Sequence, residues 1–429
     1  MKNKITLSIV SLILASVMLF SLCACTAENS TETEAVQTEG IETKAVPADI
    51  TENVSSNSVE GKSADEVFKK VHTDFSAELF KRSFEGENTL ISPLSVMLAL
   101  GMTATGAEGN TAAQFTELFG GIEAAELSKY LKGYTESVAS RKLNLANSIW
   151  LNNKYGFNVK NAFLQGVSDY YAADVFKGIS VDAVNKWIEE NTDGMIKDML
   201  ERLDPTTVML LVNTVLFKAE WNVKYTDRQV FDDEFTTIDG TKKKVTMMSS
   251  SEQSYLENDA ATGFLKPYEG GKYAFAALLP KDGTSVDELI ATLDGEMIRE
   301  TLSGVSQEKV ITKMPQFEYD FGIEMGKILH EMGLRDAFDP KAADFTGMSD
   351  NADEIMLHIG FVLHNTRIEL TPVGTKAGAA TVVGMMVGSA PMPIEPPKEV
   401  YLDRPFVYMI VDTETDLPIF IGAVTDIGE

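Results

Sequence analysis

Four histidines and two cysteines are all the chain offers as metal ligands or thiol nucleophiles. His72, His330, His358 and His364 show no ligand spacing, and Cys23 and Cys25 lie at the very start, so no metal site is expected. There is no Gly-x-Ser-x-Gly elbow, no His-Glu-x-x-His and no Walker-type phosphate loop. His330-Glu331 lacks a second histidine, and Gly106-Ala107-Glu108-Gly109 reads as a tight turn between helices. Lys242-Lys243-Lys244 follows Asp239-Gly240 and reads as a solvated hairpin tip, with an anion patch as the alternative. Carboxylates are spread along the whole chain, and no pair stands out as acid and base. Nothing here points to an enzyme or to a cofactor.

One segment has an unusual composition. Residues 374–384, from Gly374 to Gly384, are small, weakly apolar and almost uncharged. Met385, Met386, Val387, Gly388, Ser389 and Ala390 follow, and then Pro391, Pro393, Pro396 and Pro397 keep the chain extended. A flexible linker is one reading. With a period of two, however, Thr375, Ala377, Ala379 and Thr381 share one face. A strand with only small residues on one face can enter a packed sheet without overfilling it.

Several elements must surround that segment. Val67, Phe68, Val71, Phe75, Leu79 and Phe80 recur at helical spacing, with His72 beside the stripe in a structural role. Ser92 suits a helix cap and Pro93 its first turn; this helix runs through Val96, Met97, Leu98 and Met102 to stop near Gly106. A further helix is expected from Thr111. Residues 208–217 are nearly all apolar and predict a strand buried on both faces, interrupted by Asn213, whose amide needs partners. Residues 275–279 predict another buried strand, and 406–411 with 419–424 a buried hairpin. Helices dominate the first half and strands the second, which predicts an α+β fold.

The chain has 429 residues, 44% of them hydrophobic, enough for a substantial core. Its net charge of −27 argues against nucleic-acid binding, which needs clustered Lys and Arg. Lys2 and Lys4 precede an apolar run from Ile5 to Leu22, which suits an export signal. The run ends Leu22-Cys23-Ala24-Cys25, similar to a bacterial lipobox in which Cys25 becomes lipidated and residues 1–24 are removed; an ordinary leader with chance cysteines is the alternative. Lipid on Cys25 would anchor the protein to a membrane without spanning it. Residues 26–62 contain eight acids, two lysines and no aromatic residue, and are expected to be a flexible acidic tether. The globular domain is then expected over 63–429.

With these elements in order, the chain resembles the serpin family over Ser63 to Ile427. The resemblance rests on residues 88–95 (Asn-Thr-Leu-Ile-Ser-Pro-Leu-Ser), 106–111 (Gly-Ala-Glu-Gly-Asn-Thr), 185–196 around Trp187, and 211–221 from Leu211 to Trp221. Met247-Met248, Pro267-Tyr268, residues 342–347 (Ala-Ala-Asp-Phe-Thr-Gly) and Asp403-Arg404-Pro405-Phe406 complete it. The resemblance implies three β-sheets, about nine helices and an exposed reactive-centre loop at about 374–397. It implies a suicide-substrate inhibitor of serine proteases: the protease forms a covalent acyl complex with the cleaved loop, which inserts into the central sheet. It implies that Gly374 is the hinge; that Thr375, Ala377, Ala379 and Thr381 face into the sheet, with Ala380 between; that Ser92, Ser95, Asn213 and His364 form the shutter beneath the opening; and that Trp221 marks the breach where insertion starts. Counting from the hinge places the scissile bond at Gly388-Ser389, with Val387-Gly388 and Met386-Val387 as alternatives. No Lys or Arg stands near these bonds, so elastase-like proteases are the expected partners. Two departures bear on insertion. Pro372 and Val373 stand where inhibitory members often carry acidic or charged residues, and Gly378 stands where a small residue with a Cβ is usual. The competing readings are a non-inhibitory serpin that serves as a cell-surface binding protein, and a two-lobed solute-binding lipoprotein. A monomer, exported and membrane-anchored at the cell surface or in the extracellular space, is expected.

Overall fold

The computed structural model describes residues 46–375 and 396–427. Among these residues there are nine α-helices and three β-sheets. The largest sheet has eight strands. Its main path runs Ala48–Asp49, Asp174–Lys177, Leu143–Leu151, Met209–Phe217 and Ile359–Leu370. Phe317–Glu324 flanks Ile359–Leu370 on the far side, and the short strands Gly374–Thr375 and Ala219–Glu220 extend one end. A six-stranded sheet holds Thr89–Ile91, Leu417–Val424, Phe406–Asp412, Tyr273–Pro280, Ala261–Pro267 and Tyr255–Glu257. A four-stranded sheet holds Lys398–Tyr401, Val310–Pro315, Lys242–Glu252 and Val230–Thr236.

The apolar run at 209–217 explains the layering. Every residue of Met209–Phe217 is buried, so both faces of the large sheet are covered there. Met209, Leu211, Val215 and Phe217 join the main core, beneath the helix Pro93–Ala104, which is buried along its whole length. Leu210 and Val212 join a second, smaller core with Trp150, Trp187 and Ile188 on the outer face. The helix Pro93–Ala104 starts as its sequence dictates: Ser92 Oγ accepts from the Ser95 N–H, and Pro93 takes the first turn. The other expected strands form at Tyr273–Pro280 and in the antiparallel hairpin Phe406–Asp412 with Leu417–Val424. Six helices precede residue 192, and the strand-rich part follows, so the fold is α+β.

Three expectations need correction. Val67 does not belong to the buried stripe of Glu66–Ser83; it is 58% exposed, one residue out of phase with Phe68, Val71 and Phe75. Lys242, Lys243 and Lys244 do not form a free hairpin tip. They open the strand Lys242–Glu252, where Lys242 pairs with Glu234 and Lys243 with Asp426. Residues 46–62 do not continue a flexible tether. Ala48–Asp49 forms an antiparallel edge strand against Lys177 and Phe176. Ile50 and Val54 pack on the main core. The Asn57 N–H donates to Asp169 Oδ1 (2.6 Å), and the Lys62 N–H to the Lys129 carbonyl (2.8 Å). Gly61 crosses Gly133 so closely that a Cβ on Gly61 would lie 2.5 Å from the Gly133 backbone. Average composition hid two apolar anchors and an open strand edge able to pair with them. Residues 1–45, including the leader and Cys25, lie outside the described residues.

Candidate functional site

The site begins where two parallel strands meet. Met209–Phe217 and Ile359–Leu370 pair directly, from Leu210 opposite Phe361 to Val215 opposite Thr366, with an irregularity between Ile359 and Phe361. We call this pairing the seam. Beyond its upper end, Gly374–Thr375 lies between the two strand directions, antiparallel to both. Thr375 faces Leu370 on one side and Ala219 on the other, and Gly374 faces Glu220.

A tight turn brings the chain back to this position. The Thr371 N–H donates to the Gly374 carbonyl (2.9 Å), and the Gly374 N–H returns a bond to the Thr371 carbonyl (3.3 Å). Pro372 takes the first corner, where its fixed φ fits and its missing N–H goes unused. The Pro372 carbonyl accepts from the Tyr225 N–H (3.0 Å), and the Val373 carbonyl from the Trp221 N–H (2.8 Å). The two residues that depart from the expected hinge pattern therefore serve this turn. Gly374 is required by proximity: a Cβ there would lie 2.2 Å from the Ala219 carbonyl oxygen and 2.5 Å from Glu220 Cα.

Trp221 closes the upper end. Its Nε1–H donates to the Thr371 carbonyl (2.9 Å), and its ring stacks on Tyr268 at 4.5 Å and 12°. Tyr268 Oη and Thr375 Oγ1 are 2.7 Å apart, which turns Thr375 inward; it is buried. Beside Trp221 lies an ion pair that sequence reasoning missed. Lys266 Nζ is 2.8 Å from Glu252 Oε1, with the Tyr225 ring 4.5 Å from the ammonium. Burial draws the Lys266 pKa below its usual value against the pull of Glu252. A lysine inside the apolar strand Ala261–Pro267 was the only signal of it.

The structure brings Ser92, Ser95, Asn213 and His364 together at the middle of the seam. The Ser92 N–H donates to His364 Nε2 (3.0 Å), and His364 Nδ1 bonds Asn213 Oδ1. The acceptor role of Nε2 assigns the proton to Nδ1 and makes the ring neutral. Burial depresses the His364 pKa to about 3, and it does the same to His72 on the buried face of the helix Glu66–Ser83. Ser95 Oγ, Asn213 Nδ2 and Asn147 Oδ1 are buried without a hydrogen-bond partner among the described residues. Ala377, Ala379, Ala380, Thr381, Met386, Val387, Gly388 and Ser389 lie outside the described residues.

The two histidines make a pH prediction. Their folded pKa values lie below the ordinary value, so the unfolded chain binds more protons below about pH 6.5. Stability is fully present above that pH and falls as pH drops toward about 3, by about 1.4 kcal/mol per pH unit for each histidine. In denaturant unfolding the slope from these two groups should rise from about one proton at pH 6.5 to about two at pH 5, and His364→Gln should remove about half of it at each pH. A slope unchanged by the substitution would contradict the buried neutral state.

Comparison with known proteins agrees with this geometry. The family model described as "Serpin (serine protease inhibitor)" matches residues 70–427. An uncharacterised serpin-like protein of Thermococcus kodakarensis is 30% identical over 362 residues, covering 81% of this chain and 83% of that protein. Leukocyte elastase inhibitor A of Mus musculus is 28% identical over 384 residues, covering 84% and 99%. The crystal structure of tengpin, a thermophilic serpin, in its native state is 41% identical and aligns with a TM-score of 0.83, covering 89% of this chain and 100% of that chain. The latent state of tengpin aligns with a TM-score of 0.74, so the present structure is nearer the native state.

Proposed function

The chain belongs to the serpin family, and from that premise we propose that it inhibits serine proteases as a suicide substrate through insertion of residues 375–384 into the seam. The carrying observation is one of register. Leu370 and Ala219 flank Thr375, and His364 faces Asn213 lower in the seam; both pairs differ by 151 positions. A strand that starts at Gly374–Thr375 can therefore run down the opening without either neighbour sliding. Continuing the same pairing sets Ala377 between Ile368 and Phe217, Ala379 between Thr366 and Val215, and Thr381 between His364 and Asn213. These are the small residues that share a face with Thr375, and that face meets the main core.

In the chemical step, the protease serine Oγ attacks the carbonyl carbon of the scissile residue. The peptide C–N bond breaks, the released nitrogen takes the proton, and an ester joins protease to loop. Insertion then carries the ester down the sheet. Gly388-Ser389 is the proposed scissile bond, with Val387-Gly388 and Met386-Val387 as alternatives, and the small uncharged side chains there favour elastase-like targets. The name of the mouse relative supports the same choice. Export and lipidation at Cys25 remain part of the proposal, on the strength of the leader and its Leu-Cys-Ala-Cys ending.

Residues 26–429 mixed with an elastase should give a band at the summed mass on a denaturing gel, and the mass of the released C-terminal peptide fixes the bond. Cleavage with no complex by any serine protease would leave a non-inhibitory binding protein. Faster inhibition of trypsin than of elastase would overturn the specificity.

A further inference from the structure

The large sheet has two ends, and the N-terminal segment joins it at the end away from the hinge. Ala48 pairs with Lys177, Lys177 with Leu151, and Leu151 with Met209, so Ala48 lies in the lowest row. Ala219, beside Thr375, stands above that row by the length of chain from 209 to 219, about 33 Å at 3.3 Å per residue. The direction is fixed as well. Asp174–Lys177 runs downward and Ala48–Asp49 is antiparallel to it, so the chain traced back from Asp49 continues downward past Ala48. Pro47 passes against Gly178, where a Cβ would lie 3.1 Å from Pro47 Cα, and Val46 is 86% exposed.

Insertion would deliver the protease to that same end. With Thr375 opposite Ala219, residue 385 comes opposite Met209, and residue 388 lies three steps beyond, about 10 Å below the row of Ala48. Four strand spacings, about 19 Å, separate the new strand from Ala48–Asp49. The ester would thus end about 22 Å from Ala48. A protease of roughly 200 residues is about 40 Å across, so it would crowd the place where the N-terminal chain leaves the domain. Between Val46 and Cys25 lie twenty residues, 26–45, which reach at most about 70 Å. They carry five glutamates and one lysine, a charge that an anionic bilayer surface repels.

We propose that residues 26–45 are a spacer whose length serves the inhibitory reaction: they leave room for the trapped protease between a lipid anchor on Cys25 and the lower end of the sheet. This rests on the insertion and the lipidation proposed above. The reactive loop is offered at the opposite end, so the spacer does not govern the first attack. It governs whether the acyl-enzyme completes its passage before the ester is hydrolysed. A reach of about 70 Å exceeds the width of the protease, and a spacer of six residues, reaching about 20 Å, does not.

The test compares the lipidated full chain on phosphatidylcholine–phosphatidylglycerol vesicles with residues 26–429 in solution. Each is made as parent, with residues 28–41 deleted, and with residues 28–41 replaced by an uncharged Gly/Ser stretch of equal length. An elastase is added, and the ratio of covalent complex to cleaved inhibitor is read on a denaturing gel. On vesicles the deletion should lower that ratio several-fold at an unchanged rate of loop cleavage, and the replacement should behave as the parent. In solution all three should give the same ratio. An undiminished ratio for the deletion on vesicles, an equal loss in solution, or a loss with the Gly/Ser replacement would overturn the role of spacer length. A full chain that does not bind vesicles would overturn the lipid anchor, and a parent that forms no complex in solution would overturn insertion; either would take this proposal with it.

Discussion

Cleavage between residues 386 and 389 by a metalloprotease, which forms no acyl-enzyme, should raise the melting temperature of this chain by about 10 °C or more. The reason lies in what insertion exchanges. The closed seam is a single ladder from Leu210–Phe361 to Val215–Thr366. A strand placed between its two sides replaces that ladder with two, both antiparallel, as Gly374–Thr375 already is to each neighbour. Continued at the same register, residue 384 comes opposite Leu210 and Phe361, where the irregularity at Ile359 ends the match. On the order of ten additional backbone hydrogen bonds, each worth about 1 kcal/mol net, would then stabilise a domain of this size by at least 10 °C. Differential scanning calorimetry of the intact and cleaved forms reads this directly, with mass spectrometry confirming the cut. An unchanged melting temperature would mean that the loop does not enter the sheet.

Gly374→Val should reduce covalent complex formation tenfold or more while leaving cleavage intact. The new Cβ would stand 2.2 Å from the Ala219 carbonyl oxygen and 2.5 Å from Glu220 Cα. Both are backbone atoms of a strand next to the buried Trp221, so neither can yield cheaply. The hinge would be driven out of the gap, and Thr375 would lose its bond to Tyr268. A barrier higher by 1.4 kcal/mol slows insertion tenfold, and a backbone clash of this size costs more than that. The fold should survive with a melting temperature lowered by a few degrees at most, because the displaced strand is two residues long. The ratio of complex to cleaved inhibitor on a denaturing gel decides the matter. An unchanged ratio would show that insertion does not begin at Gly374–Thr375.

Much of this molecule could be read from neighbouring residues alone. The buried strand at 209–217, the cap at Ser92-Pro93, the hairpin near the C-terminus and the small-residue face from Thr375 follow from local spacing. So does the placement of Asn213 in a buried strand, which demanded a partner. His364 proved to be that partner, 151 residues away, and only the resemblance had pointed to it. Val67 misled because it adjoins Phe68 at the edge of the stripe, yet turns its side chain to solvent. Residues 46–62 misled because a mean composition cannot report that Ile50, Val54 and Asn57 each have a place to dock.

The sequence by itself determined the elements, their apolar faces, the inhibitor family it resembles and the residues able to serve as an inserting strand. Periodicity, capping and side-chain size act over a few residues, so a single chain displays them. Only the tertiary structure decided that two parallel strands close on each other beneath the hinge, that Pro372 and Val373 build a turn, and that Lys266 and Glu252 pair beside Trp221. Those facts are pairings between distant segments. The free energy of such a pairing depends on neighbours, burial and register that no local pattern contains.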